Sequence, residues 1–374
     1  MNKVILFLCS ILTLNYTKAI ANQPLQQNNF KTFIEYCQQK STLPQETKDT
    51  VEVLLEKAGT QDCQQANRTL SSLTELRLLT KQISDLKPLS SFTNLTNLDL
   101  WGNKISDVKP LANLTDLTSL NIGGNQISDV KPLAGLTNLT NLDLGGNQIS
   151  DVKPLASLTN LTRLDFYSNQ ISDVKSLSNL KKLTFLRLGS NGIVDVKQFA
   201  SFTNLTELWL EENRISDVRP LSSLNNLTKL NLTENQISDI TPIASLNNLN
   251  SLDLDRNQIS NIQPLSNLTN LTSLGVGRNQ ISDIKSLSNL TKLRWLFLRK
   301  NQISNIKVIS NLTNLRWLDL SYNKIRDIKP LDNLTNLTTL NIKENPTLTK
   351  SCSRRNSRCG STKQKNRTFR HGIF

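Results

Sequence analysis

A 22-residue period dominates this chain and limits what it can fold into. Asparagine recurs twelve times between Asn103 and Asn345, always 22 residues apart, with a leucine five residues before each one. Self-similarity at this length is typical of a solenoid, in which every repeat packs only on its neighbours. Because the period has no insertion or deletion, it predicts one continuous array of repeats over residues 71–348 rather than several globular domains.

Each column of the repeat has a physical explanation. Apolar residues five and three residues before the asparagine alternate as strand side chains do, which predicts one strand per repeat in a parallel sheet. The asparagine amide is expected to bond the buried backbone of its own turn and of the neighbouring turn. Proline recurs in the arc that follows, which favours 3₁₀ or turn structure on the outer face. These columns predict an α/β repeat solenoid, a right-handed horseshoe with a concave parallel sheet and a convex side of 3₁₀ and turn segments.

Two segments precede the repeats. Residues 1–21 combine Lys3, an apolar run and small residues up to Ala21, which predicts a signal peptide cleaved near Ala21 and a secreted, periplasmic or envelope location. An uncleaved membrane anchor is the alternative, disfavoured because the run is short for a bilayer. Residues 22–70 are out of register with the repeats and predict a helical N-terminal cap. Apolar residues at helical spacing there are Phe30, Phe33, Ile34, Cys37, Val51, Leu54, Leu55 and Ala58.

Four cysteines remain once Cys9 is removed with the signal peptide. In an oxidising compartment the economical pairing is one bridge for each end of the solenoid. The predicted bridges are Cys37 with Cys63 and Cys352 with Cys359. A zinc site is the competing interpretation, but the chain has no CxxC motif and no histidine near these cysteines.

The net charge of +14 raises the question of a polyanionic partner. Much of the excess lies in residues 349–374, a cap remnant followed by a basic tail that is predicted to be disordered and holds no acidic residue. The lysines that recur in the outer arcs are more typical of a solvated face. We therefore expect no specific nucleic-acid partner.

The repeat unit "LTNLTNLDLxxNQISDVKPLASL" resembles the 22-residue class found in bacterial internalins and in the regulatory subunit of protein phosphatase 1, over roughly residues 71–348. The signal peptide and cysteines favour the internalin-like likeness, since the phosphatase partner is intracellular. The resemblance implies binding of proteins or glycans on the concave face. This chain shows no evident immunoglobulin-like segment after the repeats and no LPxTG-type signal, so adhesion to a host cell is not implied.

Nothing in the sequence predicts catalysis. The only histidine is His371, and no nucleophile, phosphate-binding or metalloprotease motif is present. Aspartate recurs in the outer arcs, where stacked carboxylates could share calcium. The favoured alternative is that each aspartate accepts backbone N–H bonds at the start of its arc. The chain is expected to be non-enzymatic, without cofactor or metal.

The repeat varies most at the outward strand positions, which lie six, four and two residues before each asparagine and hold all four tryptophans. Tyr, Trp and Arg carry much of the binding energy of interfaces. The predicted partner-binding residues are Trp295, Trp317, Phe297, Arg294, Arg299 and Arg316, with Asp319 beside them, then Trp209, Phe185, Arg187 and Tyr167, with Arg163 and Glu207 beside them, and finally Trp101 alone at the N-terminal edge. The alternative is that the aromatic rings only pack on one another across strands.

Three hypotheses follow. The first is an exported, monomeric recognition module that binds a protein partner across its concave face, with the cluster at residues 295–317 as the better hot spot. The second is a glycan-binding envelope protein, in which aromatic rings stack on sugars. The third is a structural envelope protein with no defined ligand.

Overall fold

Three helices precede the repeats in the computed structural model, which describes residues 30–346. Helix α1 spans Phe33–Gln38, α2 spans Gln45–Ala58 and α3 spans Cys63–Ser71. Helix α2 ends at Gly59, whose φ of 71° closes the helix in the left-handed conformation. Apolar spacing predicted α1 and α2. It did not reveal α3, because only Ala66 and Leu70 of that helix are buried.

The helical cap covers the open end of the first repeat. A disulfide between Cys37 and Cys63 ties α1 to α3, with 5.7 Å between the two Cα atoms, so this predicted pairing is confirmed. The rings of Phe33 and Phe92 lie 5.6 Å apart where the cap meets the first outer arc. The hydroxyl of Thr50 donates to the carbonyl of Asp85 at 2.8 Å. The signal segment, the second predicted disulfide and the basic tail lie outside the described residues.

Within residues 30–346, thirteen parallel strands form one sheet in sequence order, as the period predicted. Neighbouring strands pair residues 22 positions apart, as in Leu76 with Leu98. The strands are β1 Glu75–Arg77, β2 Asn97–Asp99, β3 Ser119–Asn121, β4 Asn141–Asp143, β5 Arg163–Asp165, β6 Phe185–Arg187, β7 Glu207–Trp209, β8 Lys229–Asn231, β9 Ser251–Asp253, β10 Ser273–Gly275, β11 Trp295–Phe297, β12 Trp317–Asp319 and β13 Thr339–Asn341. The central leucine of each strand from β1 to β12 is buried, so the core lies between the sheet and the outer arcs.

Short 3₁₀ helices form the outer arcs, which confirms the second element predicted for each repeat. Proline sits in the first turn of most of them, where its missing N–H is not needed. The 3₁₀ helices are Lys40–Thr42 in the cap, then Lys87–Leu89, Lys109–Leu111, Lys131–Gly135, Lys153–Ser157, Lys175–Asn179, Lys197–Ser201, Arg219–Ser223, Thr241–Ser245, Gln263–Asn267, Lys285–Asn289, Lys307–Asn311 and Lys329–Leu331. The architecture is therefore a leucine-rich repeat horseshoe with a helical N-terminal cap.

The aspartate column begins these arcs by accepting hydrogen bonds. Asp129 Oδ1 accepts the N–H of Lys131 at 2.8 Å, and the same bond recurs along the column. Asn261 replaces aspartate and accepts the equivalent N–H from Gln263 at 2.9 Å. The bond therefore needs a side-chain oxygen but no charge. Among the described residues, no group of three or more His, Cys, Asp or Glu side chains could hold a metal ion.

The asparagine column joins each repeat to the one before it. Asn213 Nδ2 donates to the carbonyls of Leu210 in its own turn, at 3.1 Å, and of Leu188 in the preceding repeat, at 3.0 Å. Its Oδ1 accepts the N–H of Ile193 in that preceding repeat, at 3.0 Å. Lys81 stands where the first asparagine would be, and no repeat precedes it. Its Nζ instead lies 3.2 Å from Glu56 of the cap.

Replacing Asn213 by alanine should lower the free energy of unfolding by about 2–4 kcal/mol, because it strands buried backbone groups in two adjacent repeats. The matched control is Asn204→Ala, since Asn204 is exposed and makes one bond, to the carbonyl of Lys181 at 2.8 Å. The control should lose roughly 1 kcal/mol or less. Urea unfolding followed by circular dichroism measures both, and equal losses would contradict the assigned role.

Candidate protein-binding surface

The concave face consists of three outward rows, at the positions six, four and two residues before each repeated asparagine. Side chains in these rows point away from the leucine core, so the fold leaves their identity free. Of the predicted residues, Trp101 is 45% exposed and Trp295 is 37% exposed, whereas Trp209 and Trp317 are half-buried. The structure places all four tryptophans on this face, but in different surroundings.

The C-terminal aromatic cluster consists of Trp295, Phe297 and Trp317 on strands β11 and β12. Trp295 and Trp317 are paired in register across the two strands. The rings of Phe297 and Trp317 lie 6.3 Å apart at an angle of 44°. The cluster presents one contiguous apolar surface on a rigid sheet, the kind of surface that marks contact sites.

Arg294 and Arg316 border this cluster and break a structural column. The corresponding residue in most repeats is threonine, whose hydroxyl donates to the carbonyl 22 residues earlier, as Thr206 does to Thr184 at 3.0 Å. An arginine at this position has no such hydroxyl. Both arginines are exposed beside the tryptophans. These two repeats therefore lack the stabilising hydroxyl bond and carry a positive charge at the rim of the cluster instead.

Tyr322 belongs to the same region and was missed by the sequence analysis. It is 47% exposed and adopts a φ of 57°, the left-handed region that disfavours a bulky side chain. The guanidinium of Arg299 lies 6.0 Å and the ammonium of Lys300 5.4 Å from its ring centroid. Every residue of this column has a positive φ, from Thr80 to Glu344, and only Gly102, Gly124 and Gly146 are glycine, so this backbone conformation is a property of the repeat. The readable signal at Tyr322 was an aromatic residue in a column of small and charged ones.

The second predicted cluster is engaged internally. Arg187 Nη2 bonds Glu211 Oε1 at 2.9 Å, and the Arg187 guanidinium lies 4.1 Å from the ring centroid of Tyr167. Phe185 is only 7% exposed, because the Arg163 guanidinium covers its ring at 3.5 Å. The structure thus brings these residues together as a network whose members contact one another more than solvent.

Trp101 lies close to two glycines of the next repeat. A Cβ added to Gly123 would stand 3.2 Å from Trp101 Cδ1, and one added to Gly124 would stand 3.5 Å from Nε1. The glycines therefore let the indole ring lie close to the neighbouring backbone. The ring keeps nearly half of its surface exposed at the N-terminal part of the sheet.

Outward glycines also make room for acidic side chains, a relation that the sequence analysis did not detect. A Cβ on Gly189 would lie 2.6 Å from Glu211 Oε1, and one on Gly123 would lie 3.0 Å from Asp143 Oδ1. The carboxylates of Glu211 and Asp143 therefore lie close to the sheet backbone, where they are partly removed from solvent. Burial, followed by repulsion from Asp143, raises the pKa of Asp165 to about 6.

A second acidic pair, Asp253 and Asp255, lies on β9 and just after it. A Cβ on Gly275 would stand 2.6 Å from Asp253 Oδ1, and one on Gly277 would stand 3.1 Å from Asp255 Oδ1. Asp255 accepts the backbone N–H of Gly277. Burial, followed by repulsion from Asp253, raises the pKa of Asp255 to about 7.

Comparisons with known proteins agree with this geometry. The family profile "Leucine Rich repeats (2 copies)" matches residues 71–113, 93–135, 115–157, 137–179, 159–201, 203–246, 247–289 and 313–353. An internalin (inlF) from Listeria monocytogenes is similar in structure, with a TM-score of 0.75 and 39% identity over 80% of this chain and 89% of the internalin. The chain belongs to the internalin-like leucine-rich repeat proteins.

Two further bacterial structures support the internalin-like assignment. A leucine-rich repeat protein of Leptospira interrogans is 25% identical, with a TM-score of 0.69 over 85% of this chain and 82% of its own. Internalin C2 (inlC2) of Listeria monocytogenes is 35% identical, with a TM-score of 0.51 over 54% of this chain and 91% of its own. No curated protein sequence matches the chain. In the internalin-like repeats and cap, residues 30–346, no helix is long and apolar enough to cross a membrane.

Replacing Asp255 by asparagine should raise the free energy of unfolding at pH 8 by about 1–3 kcal/mol. Between the unfolded aspartate pKa of about 3.9 and the folded value near 7, the folded chain binds more protons than the unfolded chain. Stability therefore falls as pH rises through this window, and the gain from asparagine should shrink as pH falls towards about 4.

The matched control is Asp129→Asn in an outer arc, where asparagine makes the same bond in other repeats. Thermal unfolding at pH 8 and pH 5 measures both variants. A control that gains as much as Asp255→Asn, or a gain that grows on acidification, would refute the assignment of a costly buried charge.

Proposed function

We propose that this internalin-like chain is an exported, non-enzymatic protein that binds a protein partner across its concave face. The observation that carries the proposal is the exposure of Trp295 in contiguity with Phe297 and Trp317 on a rigid sheet. The fold requires no large side chain at these outward positions. An aromatic surface of this kind contributes most when a partner covers it.

The residues around the C-terminal aromatic cluster support the same proposal. Arg294 and Arg316 supply charge at its rim in place of the structural threonine, and Arg299 stands beside the exposed Tyr322. These two repeats thus give up their hydroxyl bonds on one small area, which argues for a gain in binding there.

Export is supported by the disulfide between Cys37 and Cys63, since such bonds persist in oxidising compartments. The proposed mature chain begins after Ala21. It comprises the N-terminal cap at residues 22–70, the repeats at residues 71–348, and a C-terminal cap remnant with a basic tail at residues 349–374. It acts as a monomer whose concave face is open to the partner.

Changing Trp295 and Trp317 together to alanine should reduce capture of the partner by at least about a hundredfold, because two anchors of the contact are removed. The experiment is affinity capture with the mature protein, followed by identification of the retained protein by mass spectrometry. The matched control is Val194→Ser, which removes an apolar side chain that is 57% exposed and lies outside the outward rows.

Both variants should keep the wild-type circular dichroism spectrum, since the altered side chains lie outside the leucine core. The proposal is wrong if the double variant captures the same protein as well as the wild type. It is also wrong if Val194→Ser loses the partner equally.

A second candidate function, glycan binding, is favoured by one observation, the position of Trp101. Its ring lies close to the backbone of Gly123 and Gly124, with a large exposed surface and Asp143 nearby. An exposed aromatic ring of this kind can stack on a sugar ring. A glycan array probed with the wild type and Trp101→Ala distinguishes the two functions, because glycan binding requires saturable signals that the variant loses.

A further inference from the structure

One column of the repeat changes from small residues to cations in the C-terminal part of the sheet. The residue one position before each repeated asparagine is glycine or serine from Gly102 to Ser190. In the same column Arg256, Arg278 and Lys300 follow one another in three successive repeats. Their φ angles of 52° to 56° belong to the whole column, so the backbone does not require a charged side chain there. The fold therefore does not explain why these three residues are cations.

These cations repel one another. Equivalent residues of neighbouring strands lie about 4.8 Å apart in a sheet, and like charges that face each other at this spacing are destabilising. Burial, followed by repulsion from Arg256 and Arg299, lowers the pKa of Arg278. Asp255 and Glu234 act in the opposite direction, but each has a smaller effect than either arginine. The acidic neighbours of Arg278 therefore offset only part of the repulsion.

The first cation of the column has a carboxylate partner, because Arg256 contacts Glu234 of the preceding repeat. No salt bridge within residues 30–346 involves Arg299 or Lys300. The Nε of Arg299 is buried and has no hydrogen-bond partner among the described residues. Positive charge thus accumulates towards the C-terminal end of the column.

Tyr322 holds two of these cations in one place. The guanidinium of Arg299 lies 6.0 Å and the ammonium of Lys300 5.4 Å from the centroid of its ring. An aromatic ring attracts a cation through its quadrupole but carries no net charge. Arg299 and Lys300 are therefore positioned by Tyr322 without being neutralised, and Lys300 is exposed to solvent.

The cations adjoin the C-terminal aromatic cluster. Arg299 follows Phe297 by two residues, so both belong to the outward rows of the concave face. At the other end of β11, the exposed Arg294 directly precedes Trp295. A partner that covered the aromatic rings would therefore meet positive charge on both sides of them. Charges of one sign around a contact surface favour a ligand of the other sign.

We propose that Arg278, Arg299 and Lys300 form a basic patch that receives an aspartate or glutamate side chain of the protein partner. The inference rests on the proposed function, because the basic patch adjoins the C-terminal aromatic cluster and would be covered by the same partner. A carboxylate accepts strong hydrogen bonds from guanidinium and ammonium groups, and its charge offsets the repulsion among the cations. The partner contact is thus an acidic residue next to apolar residues.

The carboxylates near the basic patch favour a peptide over a polyanion. Asp255 acts electrostatically on Arg278, and the charges of Asp253 and Asp319 act on Asp255 in turn. A nucleic acid or a sulfated glycan carries negative charges along its whole length, so some of them would face these carboxylates. A peptide can place one carboxylate on the cations and apolar side chains on the aromatic rings. The surroundings of the basic patch therefore suit a single acidic side chain.

The test uses phage-displayed random short peptides selected on the immobilised mature protein. Wild-type protein should enrich peptides with aspartate or glutamate next to an aromatic or aliphatic residue. Arg278→Gln/Lys300→Gln should lose the acidic preference and bind the selected peptides at least about tenfold more weakly. The matched control, Lys131→Gln/Lys153→Gln, removes two exposed cations from the outer arcs and should select as the wild type does.

Thermal unfolding of the same variants separates a role in binding from a role in folding. Because the cations repel one another in the free protein, Arg278→Gln/Lys300→Gln should unfold at the wild-type temperature or above it. A lower unfolding temperature would assign the cations to the fold and overturn the basic patch.

The outcomes separate the two proposals. Peptides that are lost by Trp295→Ala/Trp317→Ala but show no acidic preference, or that bind Arg278→Gln/Lys300→Gln unchanged, overturn the basic patch and leave the proposed function standing. Loss of the acidic preference in the outer-arc control also overturns the basic patch. So does tighter binding of heparin or duplex DNA than of the selected peptides. Wild-type protein that enriches no peptide overturns both.

Discussion

The hydrogen bonds of the repeated asparagines are the interactions on which the rest of the structure depends. Each amide bonds the backbone of its own turn and of the repeat before it, so the buried turn is satisfied only when two repeats are stacked. The leucine core supplies most of the driving force, but apolar contact alone has no direction. The asparagines fix the spacing and the register. Consequently the residues of the outward rows are free to vary without disturbing the leucine core.

On that face the chain has two kinds of polar arrangement. Around Arg187, a carboxylate and aromatic rings contact the guanidinium and form a compact network on the concave face. Around Asp255, the like charges of Asp253 and Asp319 oppose its ionisation, and Asp255 accepts the backbone N–H of Gly277. In the first arrangement Glu211 Oε2 and Trp209 Nε1 have no hydrogen-bond partner among the described residues, and in the second burial raises the pKa of Asp255 to about 7. Both arrangements therefore hold desolvated polar groups on the concave face.

The sequence predicted the fold closely because the period leaves few alternatives. Strand positions, the buried leucines, the outer 3₁₀ arcs and the role of the asparagines all follow from column chemistry. Helix α3 was missed because only two of its side chains are buried and it has no apolar period. Tyr322 was missed because it lies one residue before the repeated asparagine, outside the three outward rows that were searched for aromatic residues. The internal engagement of Arg163 with Phe185 depends on side-chain rotamers, which a one-dimensional pattern does not contain.

The asparagine bonds also give the solenoid a polarity. Asn125 reaches back to Leu100 and Ile105 of the repeat before it, and the same backward reach recurs at every step. A repeat made later in synthesis therefore completes its bonds on one that has already emerged, with the cap as the first template. When the chain is synthesised from the N-terminus, the repeat that each asparagine bonds is already present. The order in which the ribosome releases the chain is thus the order in which its buried turns can be satisfied.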